Sequence, residues 1–487
     1  MGETEIKLEV HAAARAGVAS AFAGANAVRT RLRAAYWDTP DRRLAERGIA
    51  LRVRLEGRRW VQTAKAAGDS VLHRLEHNVP IPGRWPADGP VADPARHAGT
   101  KVGDLLSAAL DGAAAIERRY TTDVMRRSLQ VATDGAAVEV VFDEGEVRAG
   151  DLRSPVCEVE IESRSGEPAL MFEIARAGIA AHGLRIGMLS KAARGERLLD
   201  VDVHPVPVKA TAAKLAGAMG LDAALRHTVA ACLALVLGNA EAVASGSPDP
   251  DHVHQLRVGL RRTRTALREL GSASPALHPA WEPQLARAFR ELGVLRDREV
   301  LCATVVPRLI EAGAPALPDL PPVTGARPAL DIARDAALQQ TLVGLIEYSM
   351  GSAERDAPPA KKALSQVLRR LHRRVARDAR RFEALPEERQ HAVRKLLKRL
   401  RYVAEFSRSL FDAKKVARYL ERLEPAQDAL GRHNDEAVAL ALYRQAAESG
   451  DPHAWFAVGW LQARQPASAA EGARCLRRIA DAPRFFD

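Results

Sequence analysis

Cysteine is scarce: the 487-residue chain has four (Cys157, Cys232, Cys302 and Cys475), far apart and with no CxxC pair. That usage fits a reduced cytosol, so the expected location is cytoplasmic, and it argues against a thiolate zinc site. No run of 18 apolar residues occurs, so no membrane span or membrane partner is expected. The opening MGETEIKLEV lacks a basic n-region and an apolar h-region, so no signal peptide is expected. Aromatics are only 5% of residues, and their scarcity in the basic segments disfavours stacking on single-stranded nucleic acid. No Walker-type glycine loop is found, so any bound phosphate has to be held by side chains rather than backbone amides.

Hydrophobic residues make up 47% and charged residues 27%, a globular composition long enough for two or three domains. The formal net charge is +11, and it is unevenly spread. Residues 1–205 hold 29 Lys and Arg against 29 Asp and Glu, so the whole excess lies beyond them, as expected of a part that meets a polyanion. A general bias toward arginine would not leave the first part balanced.

Two periodicities divide the chain. Up to about Asp202 the pattern alternates: Thr4, Ile6, Leu8 and Val10 with Glu3, Glu5, Lys7 and Glu9; Leu51, Val53 and Leu55 with Arg52 and Arg54; Cys157, Val159 and Ile161 with Glu158, Glu160 and Glu162. Further strands are expected at about 60–65, 71–81, 121–131 and 137–143, and short helices at 11–23, 101–110 and 167–182. The Pro-containing stretch around 204–210 reads as a linker between a β-rich domain over 1–203 and an all-helical domain over 211–485. Helices are expected at 211–245, 251–270, 280–312, 328–350, 360–382, 387–411, 414–447 and 453–480.

The helical part contains a repeat. His254, Arg257, Arg261, Arg262 and Arg264 recur as His391, Arg394, Lys398, Arg399 and Arg401, and Leu292-Gly293 with Asp297 recurs as Leu430-Gly431 with Asp435. The offsets are 137 and 138 residues, which reads as a duplicated four-helix unit.

Residues two apart on a strand share a face, so Glu3, Glu5 and Lys7 point one way and Ile6 and Leu8 the other. For one strand alone, a solvated polar face explains this. The pattern accumulates, however: Arg52 and Arg54 form a cationic pair, Glu158 and Glu160 an acidic one, Arg74 shares a face with Glu76, Lys65 ends a strand and Arg126 lies on another. Closing such strands with their charged faces inward makes a tunnel lined by both signs. Carboxylates there suit hard divalent cations, and guanidinium groups suit phosphate oxygens.

These residues carry a family resemblance. The opening Glu3-Thr4-Glu5-Ile6-Lys7 resembles the E-x-E-x-K signature of the CYTH, or triphosphate tunnel metalloenzyme, superfamily. YWDTPDRRLAERGIALRVR, TAK, LHRLE, YTTDVMRR, FDEGEVRAGDL, CEVEIE and LSKAARG follow in order, LHRLE being one residue shorter than the family's form. The resemblance implies an eight-stranded antiparallel tunnel that hydrolyses inorganic triphosphate with Mg2+ or Mn2+. It implies Glu3, Glu5, Glu158 and Glu160 as metal ligands, with Lys7, Arg52, Arg54, Lys65, Arg126 and Lys191 along the phosphate path. Arg74, Glu76, Asp143, Glu162 and Arg194 are further substrate- or metal-side candidates. For Asp143 in FDEG a turn role is an equal reading. Nucleoside or thiamine triphosphatase and adenylate cyclase remain alternative activities of such a tunnel, and a polyphosphate-binding, granule-associated module with little catalysis is the non-enzyme reading.

In the helical part, His254, Arg257, Arg261 and Arg264 form one stripe, and His391, Arg394, Lys398 and Arg401 another. LRRLHRRVARDARRF adds a third basic helix, with Asp378 the single acid between 361 and 381. Neither histidine has an H-x-x-x-H context, so zinc is not expected. This part resembles the CHAD domain, a helical bundle found fused to CYTH domains, which implies inorganic polyphosphate as its partner; nucleic acid is the disfavoured alternative.

Overall fold

The computed structural model describes residues 2–25, 27–68, 72–86, 88–112, 115–199, 205–315 and 325–487, without the side chains of 2, 3, 273 and 295–297. By internal contacts the chain divides into two compact units. The first holds residues 1–207 with 244–247 and 333–347; the second holds 208–243, 248–332 and 348–487.

The first unit is a closed antiparallel barrel. Its strands are β1 (Gly2–Glu9), β2 (Val28–Asp38), β3 (Ala50–Glu56), β4 (Arg59–Ala67), β5 (His73–Ile81), β6 (Glu117–Thr133), β7 (Ala136–Ala149) and β8 (Leu152–Ser165), with a two-residue β9 (Arg185–Ile186). The order β5-β4-β3-β2-β6-β7-β8-β1 closes through a β1–β5 pairing at Gly2–Thr4, while β9 pairs with β1 at Leu8 and Glu9. Helices α1 (Arg15–Gly24), α2 (Arg43–Glu46), α3 (Lys101–Leu110), α4 (Ala169–His182) and α5 (Lys191–Leu199) complete it.

The barrel is apolar outside and charged inside. Ile6 and Leu8 of β1 are fully buried, as are Met171, Phe172, Ala175 and Ile179 of α4. On the other flank Val102, Leu106 and Ala109 of α3 pack on Leu51, Val53, Ala64 and Ala66 of β3 and β4. Helices cover the outer faces, so the alternating polar residues are left for the lumen. β2 was not foreseen: VRTRLRAAYWD buries Ala34, Ala35 and Tyr36 in succession, which hides its alternation.

Beyond the barrel the chain is helical: α6 (Leu221–Ala244), α7 (Pro250–Leu270), α8 (Trp281–Thr304), α9 (Val306–Glu311), α10 (Ala329–Ala333), α11 (Ala336–Met350), α12 (Ala360–Ala379), α13 (Glu387–Phe406), α14 (Ala413–Glu448) and α15 (Ala454–Ala480). The helix expected from 211 starts at Leu221. The one expected over 280–312 breaks at Val305, where Pro307 opens α9, since proline suits a helix's first turn. Residues 333–347, which carry most of α11, group with the barrel although they lie inside the range expected for the helical domain. Among the described helices, α6 is long and apolar enough to cross a bilayer, but 67% of its most apolar window is buried, as suits a core helix.

Candidate active site

The barrel encloses a cavity of about 640 Å³. Staves four apart in an eight-stranded barrel face one another, so β3 opposes β8 and β4 opposes β7. The charges follow that geometry. Arg52 and Arg54 of β3 and Lys65 of β4 line one wall, and Asp143 of β7 with Glu160 and Glu162 of β8 line the other. Glu5 and Lys7 of β1, Arg74 and Glu76 of β5 and Arg126 of β6 complete the lining that the sequence pointed to. The side chain of Glu3 lies outside the described residues; its backbone pairs with Arg74 at the barrel's closure.

Register brings three acids together. Asp143 lies opposite Glu158, two residues from Glu160 on the same face of β8, and oxygens of all three lie within 4.8 Å of one another. Arg126, opposite Asp143, donates from Nε and Nη2 to its two oxygens at 2.8 and 2.6 Å, and from Nη2 to Glu160 at 2.8 Å. The Lys191 ammonium at the start of α5 sits 2.7 Å from Asp143, 2.5 Å from Glu158 and 2.9 Å from Glu160. Burial would raise the Glu160 carboxyl, but Lys191, Arg126 and Lys7 outweigh it and hold it well below its ordinary range. Asp143 is lowered for the same reason, burial being overcome by Lys191 and Arg126. Lys191 is the converse: burial opposes its charge, and Asp143, Glu158 and Glu160 lift it well above the usual lysine value.

Glu158 is fully buried and lies behind the lumen lining; its Oε2 has no hydrogen-bond partner and meets Arg194 at 3.6 Å. A buried carboxylate oxygen without a donor, beside two more carboxylates, fits a divalent cation, which prefers a cluster of oxygens. Arg194 is also paired with Glu9, and Lys7 donates to the Leu189 carbonyl at 2.8 Å. The structure therefore gathers Glu158 and Glu160 with Asp143, while Glu5 pairs in register with Glu162 further along the tunnel.

The cationic wall is poised for an anion. Arg52 is raised although burial opposes its charge, through Tyr36 and Glu76, and its buried Nε has no hydrogen-bond partner. Arg54 is lowered by burial and by Arg52 beside it, although Glu56 accepts from it. Two like charges held together in a buried wall are stabilised by whatever anion spans them. Lys65 is tied to Glu76.

Sequence reasoning named Lys191 and Arg194 at the tunnel's α5 end but missed the residues around them. There Tyr36 stacks on Tyr120 at 4.9 Å between centroids, Glu196 pairs with Arg42 at 3.1 Å, and Arg42 adopts a left-handed backbone (φ 61°). Burial raises the Glu196 carboxyl above its ordinary value despite Arg42. The signal was present in LSKAARGER, where Glu196 follows Lys191 by five residues, but its helical placement was not legible. Glu9, which pairs with Arg194, simply continues the alternation of Glu3, Glu5 and Lys7.

In the helical unit, α7 and α13 carry the two stripes. Arg257, Arg261 and Arg264 fan around Phe289 at 5.1, 5.9 and 5.5 Å, and Arg261 donates to the Tyr402 hydroxyl at 2.8 Å. Arg264 is bound to Glu282 and Arg401 to Glu405, so those two are partly neutralised. His391 meets Asn434 at 2.5 Å, and His254 lies on the half-buried face of α7. Lys398 sits among like charges: burial, then Arg261 and Arg394, lower it to about 6. Asp435 is the acid that opposes this shift; the side chain of Asp297 lies outside the described residues.

Fold and lumen together define a tunnel protein, a closed antiparallel barrel with facing acidic and cationic walls. Residues 1–195 match the CYTH domain family and residues 227–444 the CHAD domain family, so the chain carries a CYTH domain followed by a CHAD domain. Over 163 residues the chain is 28% identical to a protein of Haemophilus influenzae named inorganic triphosphatase. The match covers 33% of this chain and 44% of that protein, so the chain spans less than half the length of this curated relative. Among solved structures, the CHAD domain from Ricinus communis is 28% identical, covering 57% of this chain and 98% of that one with a TM-score of 0.46. A Hippeastrum protein described as a "putative adenylyl cyclase" that reveals a dominant triphosphatase activity is 17% identical, covering 42% of this chain and 100% of that one at a TM-score of 0.28.

Proposed function

We propose that the barrel hydrolyses inorganic triphosphate to diphosphate and phosphate with Mg2+ or Mn2+, and that the helical unit binds inorganic polyphosphate. The observation that carries the first reading is the opposition of an acidic wall of Asp143, Glu160 and Glu162, backed by buried Glu158, to a cationic wall of Arg52, Arg54 and Lys65. Simple anion binding would have no use for three converging carboxylates, whose charge repels phosphate. Asp143, Glu158 and Glu160, with Glu5 and Glu3 on the neighbouring strand, would hold the cation, which would supply charge neutralisation on phosphate oxygens.

The chain's own residues do the rest. Arg52 and Arg54 hold the substrate's oxygens, and Lys7 and Arg74 bind its charge from β1 and β5. As water attacks the terminal phosphorus and the bond to the leaving diphosphate breaks, charge grows on oxygens that these cations already face. Little reorganisation is needed, since β-ladders fix the donors.

Support for the second reading is the clustering of Arg257, Arg261, Arg394 and Lys398, with the whole positive excess lying beyond residue 205. The test is phosphate release from inorganic triphosphate, diphosphate, ATP and thiamine triphosphate, with Mg2+, Mn2+ or chelator. Fastest release from inorganic triphosphate, lost in chelator, is expected. Preference for ATP, with diphosphate rather than phosphate released, would replace this reading with a cyclase.

A further inference from the structure

Three carboxylate groups that lie within 4.8 Å of one another, two of them fully buried, call for a cation among them. Here that cation is the Lys191 ammonium, which contacts Asp143, Glu158 and Glu160 at 2.5–2.9 Å. Arg126 touches two of the three and comes from a strand whose register holds it opposite Asp143. Lys191 touches all three and comes from outside the ladder, at the first residue of α5. The helix has other anchors: Gly195 packs on the Tyr120 ring, Glu196 pairs with Arg42, and Arg194 with Glu9. Its terminal lysine can therefore leave the cluster without the helix leaving the barrel.

We propose that Lys191 is a resident counter-ion occupying the metal position, and that a divalent cation displaces its ammonium from Asp143, Glu158 and Glu160. This rests on the metal role proposed above and adds how the site is kept until it is loaded. A divalent cation held by these oxygens at about 2.0–2.6 Å leaves no room for an ammonium in contact with the same atoms. Like charges at that separation also repel strongly in a buried site. The displaced ammonium swings into the lumen, where it adds to the cationic lining. An ordinary structural ion pair would behave differently, staying in place when metal is added.

The test uses the full chain and Mn2+ alone. An amine-acylating reagent with mass-spectrometric readout measures the labelling rate of Lys191, whose side chain is 12% exposed in the closed arrangement. Bound ligands ordinarily protect the residues around them. Here Mn2+ is expected to raise Lys191 labelling by about tenfold, as burial and ion pairing are lost, while exposed Lys362 is unchanged. In Lys191→Met, Mn2+ measured by electron paramagnetic resonance should bind about tenfold more tightly, because no resident charge competes. Labelling that falls or stays constant while Mn2+ is bound overturns the inference, whether or not the variant folds. Metal-dependent phosphate release in that case leaves the triphosphatase reading standing. If neither protein binds Mn2+, this inference and the metal reading fail together.

Discussion

Glu160 and Asp143 are held ionised by cations that burial alone would not supply. Glu160→Gln and Asp143→Asn should each abolish metal-dependent phosphate release, because a neutral amide holds a hard cation poorly. The same two residues set an acid limit. Their folded values lie below the unfolded ones, so the stability they contribute is present above the ordinary carboxyl range and is lost as pH falls through the depressed values. Thermal melts from about pH 8 down to about pH 2 should show a late, steep loss, which Glu160→Gln makes shallower. A variant with the wild-type profile would show that Glu160 does not report on the cluster. At this scale the sequence was half legible. Alternation assigns Glu5, Lys7, Arg52, Arg54 and Glu160 to polar faces, because period two is visible in one strand. Which acids converge depends on β7–β8 register, so the meeting of Asp143 with Glu158 was out of reach.

Among the elements, α5 owes its seat to one glycine. A Cβ at Gly195 would come within 2.2 Å of the Tyr120 ring, itself stacked on Tyr36. Gly195→Val should lift the helix, destabilise the protein by about 1–3 kcal/mol as overpacking does, and lower the melting temperature. An unchanged melting temperature would mean that Tyr120 yields freely. In the α7–α13 pair the informative group is Lys398, lowered by burial, Arg261 and Arg394 to about 6 against 10.5 when unperturbed. Between those values the unfolded chain binds the extra proton, so this lysine's share of stability rises with pH across that window. A polyanion restores the charge. Polyphosphate binding near neutral pH should therefore take up about one proton, seen as a calorimetric heat that varies with buffer ionisation, and Lys398→Met should abolish that uptake. Long amphipathic helices such as α12, α13 and α14 were plain from periodicity. Short α5 and alanine-rich β2 were not, since one or two turns or an interrupted alternation leave no reliable period.

For the whole molecule, balanced charge in the first 205 residues and excess beyond them already separated the two kinds of domain. What composition could not show is that the barrel unit includes residues 333–347. Gln339 accepts from the buried Ile186 amide at 2.8 Å, and Glu347 pairs with Arg176. A 1–207 fragment should still cleave triphosphate, since the proposed ligands and clamps all lie within it. It should unfold at lower urea than the full chain, by about 1–3 kcal/mol for the orphaned amide. Equal midpoints would make that segment dispensable.

The barrel's seam has a consequence for its synthesis. β1 emerges before all its ladder partners, and although its start pairs with β5, most of its register lies with β8, so Lys7 must wait for Glu160. At about 5–20 residues per second that delay is on the order of ten seconds, during which an edge strand stands open. Bare edges invite pairing with other chains, and inward-pointing charges are a common guard against it. Glu5 and Lys7 are inward-pointing charges of that kind on β1, so neutral replacements there are expected to lower soluble yield as well as turnover.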